Sequence, residues 1–341
     1  MRFEKVPLGD VEWARLDAFE DRTFSQRSHW LQFVSQAQQG EIVVARLIDG
    51  EATAGYFTGI IVRRLGVRIM GSPFPGWTTP HLGFNLAPGV SRADAVAALL
   101  PFVFRELGCL HAELSDPRLA RADVERFGFD VRVGTTFVSD LTEDEDALYS
   151  RMASSTRRAI RKSEKSGVTI EVASPDGFAE EFYAHLVDVF AKQQLRPTYD
   201  LSRVEQLVRH VHPSGDLLLL RARDPEGRSI ASGIFPGYNR GSYFLGNGSL
   251  REHQILRPNE AIHWSAMRYW RERGIAMHDW GGGGEYKEKY GGGRTQTLHF
   301  RVSRYAAIGV ARDIARGAYY LPRTIKRRRH LVRVDRIERT P

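Results

Sequence analysis

The sequence predicts an α/β protein with a mixed α+β sheet, arranged as one supersecondary unit used twice in tandem. Two observations carry that expectation. Residues 41–70 and 216–249 are apolar, β-rich stretches, and turn signals divide each into three runs, the pattern of an antiparallel meander. Each meander is then followed, in the same order, by a segment of helical period, a closing glycine and a short apolar run, and the two copies start 175 residues apart.

Taken along the chain, residues 28–39 read as a helix with Ser28 as its cap. The first meander, EIVVARLIDGEATAGYFTGIIVRRLGVRIM, turns at Asp49-Gly50 and Leu65-Gly66. Val96, Leu100, Val103 and Leu107 then recur at the spacing of one helix face, Gly108 ends that helix, and CLHAEL reads as a strand. Helices are expected over 145–166 and 177–210, the second capped by Ser174-Pro175-Asp176. The second meander turns at DPEG and NRG. Pro258 suits the start of the next helix, Ile262, Ala266 and Tyr269 mark its apolar face, Gly274 its end, and AMHDW the closing strand. The expected divisions are residues 1–140, 141–310 and a basic tail over 311–341.

Composition narrows the function. The chain has 341 residues, 42% hydrophobic and 26% charged, which is ordinary globular usage. It has no apolar run of spanning length, and the segment MRFEKVPLGDVEWARLD lacks the apolar core of a signal peptide. Cys109 is the single cysteine, read as a small buried residue, so a reducing cytoplasm is the expected location. Of the net charge of +8, residues 321–341 hold eight Lys/Arg against Asp335 and Glu338, or +6, leaving +2 for the rest. The body is therefore not a general nucleic-acid binder, whereas the tail is expected either to contact anionic lipid or RNA or to remain a solvated helix. No HExxH or close Cys/His set occurs, and none of the histidine spacings suggests a metal. The serine elbow and the Walker loop are absent as well.

Three stretches hold candidate chemistry. HDWGGGGEYKEKYGGGRTQ (278–296) places Lys287 and Lys289 between two glycine runs, after a strand that ends near Asp279. Glycines allow close approach of backbone N–H groups to phosphate or carbonyl oxygens. His278 and Asp279 face opposite sides of a strand and so form no dyad. STRRAIRKSEKSG (155–167) puts Arg157, Arg161 and Glu164 on one helix face and Arg158, Lys162 and Lys165 on its neighbour. Such a cluster suits polyphosphate or a solvated helix face. GSPFPGWTTPHLGF (71–84) presents Phe74, Trp77, His81 and Phe84 on rigid turns, as a pocket wall or a packed loop.

The meander–helix–strand unit resembles the GNAT acyltransferase fold, and its duplication resembles the FemAB-type and BioF2-like transferases. The likeness is carried by TTFVSDLTEDEDALYSRMASSTRRAIRKSEKSGVTIE (135–171), RPNEAIHWSAMRYWRERGIAMHDWGG (257–282) and YKEKYGG (286–292), and covers roughly residues 25–305. It implies two tandem GNAT-like domains, the second carrying the catalytic loop. It also implies amide formation: an aminoacyl group from aminoacyl-tRNA, or an acyl group, joined to an amine of a cell-envelope, peptidoglycan-type precursor or related metabolite. An acyl-CoA-dependent N-acetyltransferase of polysaccharide or small-molecule synthesis is the alternative within that class. A non-catalytic protein docking RNA or lipid on a degenerate scaffold is the alternative outside it. By resemblance Lys287 steadies the oxyanion or the acyl carrier and Tyr286 lies beside it. Asp279 collects the amine proton, orients Lys287 or only makes a structural hydrogen bond. Arg157 and Arg161 hold phosphate, and Trp77, His81, Tyr290 and Lys289 contact substrate. No tightly bound cofactor is expected. The GNAT pyrophosphate pattern R/Q-x-x-G-x-G/A is absent from ILRPNEA and VSRADA, which shifts the expected donor from CoA toward tRNA.

Overall fold

The computed structural model describes residues 1–64, 66–191 and 195–314. The basic stretch 321–341 and its expected contacts lie outside the described residues. Among the described residues the first half forms strands β1 (Arg2–Val6), β2 (Glu41–Asp49), β3 (Ala52–Arg64), β4 (Val67–Ser72), β5 (Gly83–Leu86), β6 (His111–Leu114) and β7 (Asp130–Asp140). The second forms β8 (Thr169–Val172), β9 (Leu217–Arg223), β10 (Ser229–Tyr238), β11 (Gly241–Tyr243), β12 (Gly246–Ser249), β13 (Met277–Asp279) and β14 (Gly293–Ser303). The helices used below are α1 (Trp13–Asp17), α2 (Ser28–Gln38), α3 (Arg92–Pro101), α4 (Glu145–Arg151), α5 (Ser154–Lys165), α6 (Phe178–Ala191), α7 (Leu201–Val211) and α8 (Pro258–Glu272).

Both expected meanders are present, and each is followed by a parallel pairing. In the first unit β2, β3 and β4 are antiparallel, and β4 pairs β6 in parallel. In the second, β9, β10 and β11 are antiparallel, and β11 pairs β13 in parallel. The run expected as the third strand of the second meander splits into β11 and β12, and both pair with β10. Gly108 and Gly274 close their helices in the left-handed region, with φ of 64° and 77°. Ser28 does not cap α2: it is the first helical residue, and Arg27 takes the cap position without a side-chain bond to the helix.

The two units are joined by a strand exchange that periodicity alone does not announce. The order across the sheet is β1-β2-β3-β4-β6-β14-β7-β13-β11-β10-β9-β8. Thus β7, from the first half of the chain, lies against β13 of the second unit, Asp279 opposite Val138. Conversely β14, from the end of the chain, lies against β6 of the first unit, Phe300 opposite Leu114. Between them β7 and β14 pair over nine positions, from Gly293–Val138 to Arg301–Asp130. Each exchanged strand feeds the core of the unit it joins: Phe300 packs in the first, with Phe3, Phe57 and Phe102, and Phe137 in the second, with Trp264, Trp270 and Trp280. A third core lies between the units, where Trp30, Phe33 and Val34 of α2 meet Leu207, Val208 and Val211 of α7.

Phe300 is fully buried, and truncating such a side chain costs about 3–5 kcal/mol. Phe300→Ala is therefore expected to lower stability by that amount in urea titrations. Because β14 also pairs β7, the tryptophans of both units are expected to report one coincident transition.

Candidate active site

The parallel pair β11–β13 ends where the chain turns sharply. Asp279 closes β13, and its Oδ1 accepts hydrogen bonds from Thr136 Oγ1 of β7 and from Gly281 N, the latter at 2.8 Å. The turn requires glycine at 281: φ is 64°, and a Cβ there would meet Tyr243 Oη at 2.6 Å. The following glycines and lysines do not form a loose loop. Residues Glu285–Tyr290 make a 3-10 turn, and Tyr290 stacks on Trp280 with centroids 4.3 Å apart.

Lys287 is buried, only 8% exposed. Its ammonium donates to the Gly281 carbonyl and lies 5.3 Å from the centre of the Phe244 ring. Burial holds its pKa below the usual lysine value, against the pull of the Asp279 carboxylate. Tyr286 is exposed at the mouth of this loop. Lys289 points elsewhere, to Glu260 of α8 at 2.8 Å. His278 faces the interior, as the alternation of a strand requires, with Nδ1 2.8 Å from Ser242 Oγ.

Two cavities of about 310 and 440 Å³ lie along the groove between the units, and they meet at a waist. Pro80, His81, Thr136, Tyr243, Asp279 and Thr297 border both. The smaller is walled further by the Pro73–Pro75 turn and Gly282, the larger by residues 20–25 and the loop after β6. His81 Nδ1 lies 3.1 Å from Ser115 Oγ, and burial lowers the imidazole pKa while Asp279 opposes that shift. Burial also raises the pKa of the Tyr243 hydroxyl.

The structure brings His81 and Asp279 together at the waist; Lys287 borders neither cavity and is tied to the turn after Asp279 through the Gly281 carbonyl. The structure does not bring the other candidates there. Trp77 is buried in the core between the units, and Tyr290 in the core of the second; neither borders these cavities. Their aromatic rings found apolar partners, which a pattern of aromatics and turns does not distinguish from a pocket wall. Arg157 and Arg161 are likewise displaced from the cationic groove, which measures about 360 Å³ and is bordered by Arg158, Lys162, Arg257, Glu260 and Lys289. Helix α5 buries Thr156, Ile160 and Ser163, and this fixes its rotation so that the 158/162 face borders the groove. Arg161 is exposed, and Arg157 is half-buried with its carbonyl accepting from Tyr149 Oη at 3.0 Å. Arg257, at the start of α8, holds a left-handed φ of 59° beside that groove, and Thr156 Oγ1 is buried there without a hydrogen-bond partner among the described residues. Sequence reasoning missed Thr136, Ser115, Tyr243 and Arg257. Only Arg257 carried a signal, as the residue before the Pro258 helix start.

Residues 150–290 match the acetyltransferase (GNAT) domain family. Sequence thus relates the second unit to GNAT acetyltransferase domains, and the fold shows that unit used in tandem. The lipid II:glycine glycyltransferase of Staphylococcus saprophyticus is 19% identical over 207 residues, which cover 43% of this chain and 49% of that protein. The chain therefore spans about half the length of the curated relative it matches. The crystal structure of FemX superposes with a TM-score of 0.73 at 14% identity, covering 88% of this chain and 97% of that one. A tandem GNAT protein from the clavulanic acid biosynthesis pathway gives 0.51 at 12% identity, covering 89% and 98%. These likenesses establish the fold and bear out the FemAB-like resemblance. Among the described residues, no helix is long and apolar enough to cross a membrane and no His/Cys/Asp/Glu group is suited to a metal.

Gly281 and Gly282 separate two costs. Gly282→Ala, at φ 71° with open space around it, is expected to lose about 1–2 kcal/mol, the left-handed backbone cost alone. Gly281→Ala adds the collision with Tyr243 and should lose clearly more in the same denaturation measurement.

Proposed function

We propose that the protein transfers an aminoacyl or acyl group onto an amine of a cell-envelope, peptidoglycan-type precursor, with the reacting atoms at the waist between the two cavities. The observation that carries this reading is that Asp279 and His81 border both cavities of a groove between the units, while the buried ammonium of Lys287 donates to the carbonyl of Gly281, two residues after Asp279. A waist with a chamber on either side suits two substrates that must meet end to end. The glycyltransferase named above supports the precursor class, since that protein acts on lipid II.

The chemistry needs no protein nucleophile. An amine attacks the carbonyl carbon of an ester or thioester, the carbonyl oxygen becomes an oxyanion, and the alcohol or thiol then departs. Holding the two reactants in line supplies about 7–11 kcal/mol. A fixed cation aimed at the oxyanion supplies a further few kcal/mol. Lys287 serves as that cation by exchanging the Gly281 carbonyl for the acyl oxygen when the donor is bound. Tyr286, beside it at the surface, shields the donor from water. Asp279 holds the loop through Gly281 N and partly opposes the lowering of the Lys287 pKa by burial.

The donor carries phosphate. The groove between α5 and the start of α8 places Arg158, Lys162, Arg257 and Lys289 around one space, with Thr156 Oγ1 as an unused donor. Such a site takes a nucleic-acid backbone or a pyrophosphate by charge-assisted bonds. Aminoacyl-tRNA is the donor we favour, with acyl-CoA as the alternative.

Single-turnover transfer from charged tRNA and from acetyl-CoA to a nucleotide-linked muropeptide tests this. Lys287→Ala is expected to slow the chemical step about 10²–10³-fold with folding intact. Arg158→Ala and Lys162→Ala each remove a charge-assisted contact of about 1.5–3 kcal/mol, so donor KM should rise roughly ten-fold or more for each while kcat holds. Transfer unaffected by Lys287→Ala contradicts the reading.

A further inference from the structure

We infer that His81 is the proton acceptor for the incoming amine, a role that rests on the acyl-transfer reading above. A lysine-type amine has a pKa of about 10.4 and so enters at pH 7 almost wholly as an ammonium without a lone pair. A base must sit where the amine meets the acyl carbon. Of the imidazoles along the groove, His81 alone among the described residues borders both cavities. His299 borders only the smaller one, and its Nε2 lies 2.6 Å from the buried Glu113 carboxylate.

The loop presents His81 rigidly. Pro80 precedes it, Ser25 Oγ donates to its carbonyl, and Leu82 N donates to the Ser115 carbonyl at 3.1 Å. With Nδ1 held by Ser115 Oγ at 3.1 Å, Nε2 has no hydrogen-bond partner among the described residues. Asp279 is not the better acceptor. Its Oδ1 is already engaged by Thr136 Oγ1 and Gly281 N, and it serves instead to stabilise the imidazolium across the waist. Burial favours the uncharged ring at neutral pH, the form that can accept. The other charged and titratable groups bordering its cavities include Arg132 of β7, Tyr243 of β11, Asp116 after β6 and Arg22 before α2.

The step balances as follows. Nε2 takes one proton from the ammonium and returns it to water through the open end of the groove. The freed lone pair forms the N–C bond while the carbonyl π pair moves onto oxygen beside Lys287. That pair then returns, the bond from carbon to the leaving oxygen or sulfur breaks, and the second nitrogen proton passes to the leaving atom within the intermediate. The products are an amide and an alcohol or thiol.

Two measurements test this. In ¹⁵N NMR of the full chain at pH 7, His81 is expected with Nδ1 protonated and Nε2 bare; a protonated Nε2 overturns the role. In the transfer assay, His81→Asn keeps an N–H toward Ser115 but has no base, and is expected to lower kcat/KM about 10²–10³-fold. An acceptor muropeptide with an aminooxy group in place of the amine is unprotonated at pH 7. With it, His81→Asn should return to within about ten-fold of the unaltered protein, whereas Lys287→Ala should not. Equal loss with both acceptors, or no loss with either, overturns the role of His81 alone. Absence of transfer by the unaltered protein from either donor overturns the acyl-transfer reading and this role with it.

Discussion

Two strands, β7 and β14, cross from the half of the chain that makes them to the half that needs them, and their nine-position pairing holds the groove in place. The first unit supplies His81 on a loop after β4, and the second supplies Asp279 at the end of β13. Were the units only packed against each other, side-chain rearrangement would let these groups drift. Instead the path from β6 through β14 and β7 to β13 is a continuous hydrogen-bonded ladder. A one-residue slip in any of these pairings would turn every side chain of a strand to the other face, so the register is strongly specified. Thr136 makes the connection concrete, since it sits on β7 and donates to Asp279. The apolar core between α2 and α7 closes the far side of the same junction.

The waist is electrostatically economical. An ammonium removed from water costs several kcal/mol unless it is paired. Lys287 is paired with a backbone carbonyl of the turn that Asp279 also holds, so one carboxylate organises both the loop and the cation. Gly281 makes this possible: only without a Cβ can the turn pass under Tyr243. Density of glycine here reflects close approach of backbone to side chain, and the two glycine runs bracket a short ordered turn rather than a mobile loop.

Much of the fold was legible because it is local. Period-2 and period-3.6 patterns with glycine stops located the meanders, α3, α8 and the strands β6 and β13, and their repeated order exposed the duplication. The strand exchange was not legible, because DVRVGTTFVSD and GRTQTLHFRVS gain their partners only from elements far away in sequence. The candidate site was legible in part. Asp279 and His81, which border both cavities, came from motif and position. Trp77 and Tyr290 did not hold as pocket residues, because an aromatic ring is equally suited to a core. The choice of Arg157 and Arg161 over Arg158 and Lys162 turned on the rotation of one helix. Burial of Thr156, Ile160 and Ser163 decides that rotation, and two of those three are hydroxyl residues that a hydrophobicity pattern passes over.

The central claim is that acyl carbon and amine nitrogen meet between His81 and Asp279. A crystal structure of the protein with a stable bisubstrate amide, in which an aminoacyl-adenosine mimic is joined to the precursor amine, tests it most directly. The account predicts the amide carbon at the waist, its oxygen within hydrogen-bond distance of Lys287 Nζ and the nucleotide portion directed toward Arg158 and Lys162. An amide seated elsewhere, with Lys287 still bound to Gly281 and the waist filled only by water, would contradict it.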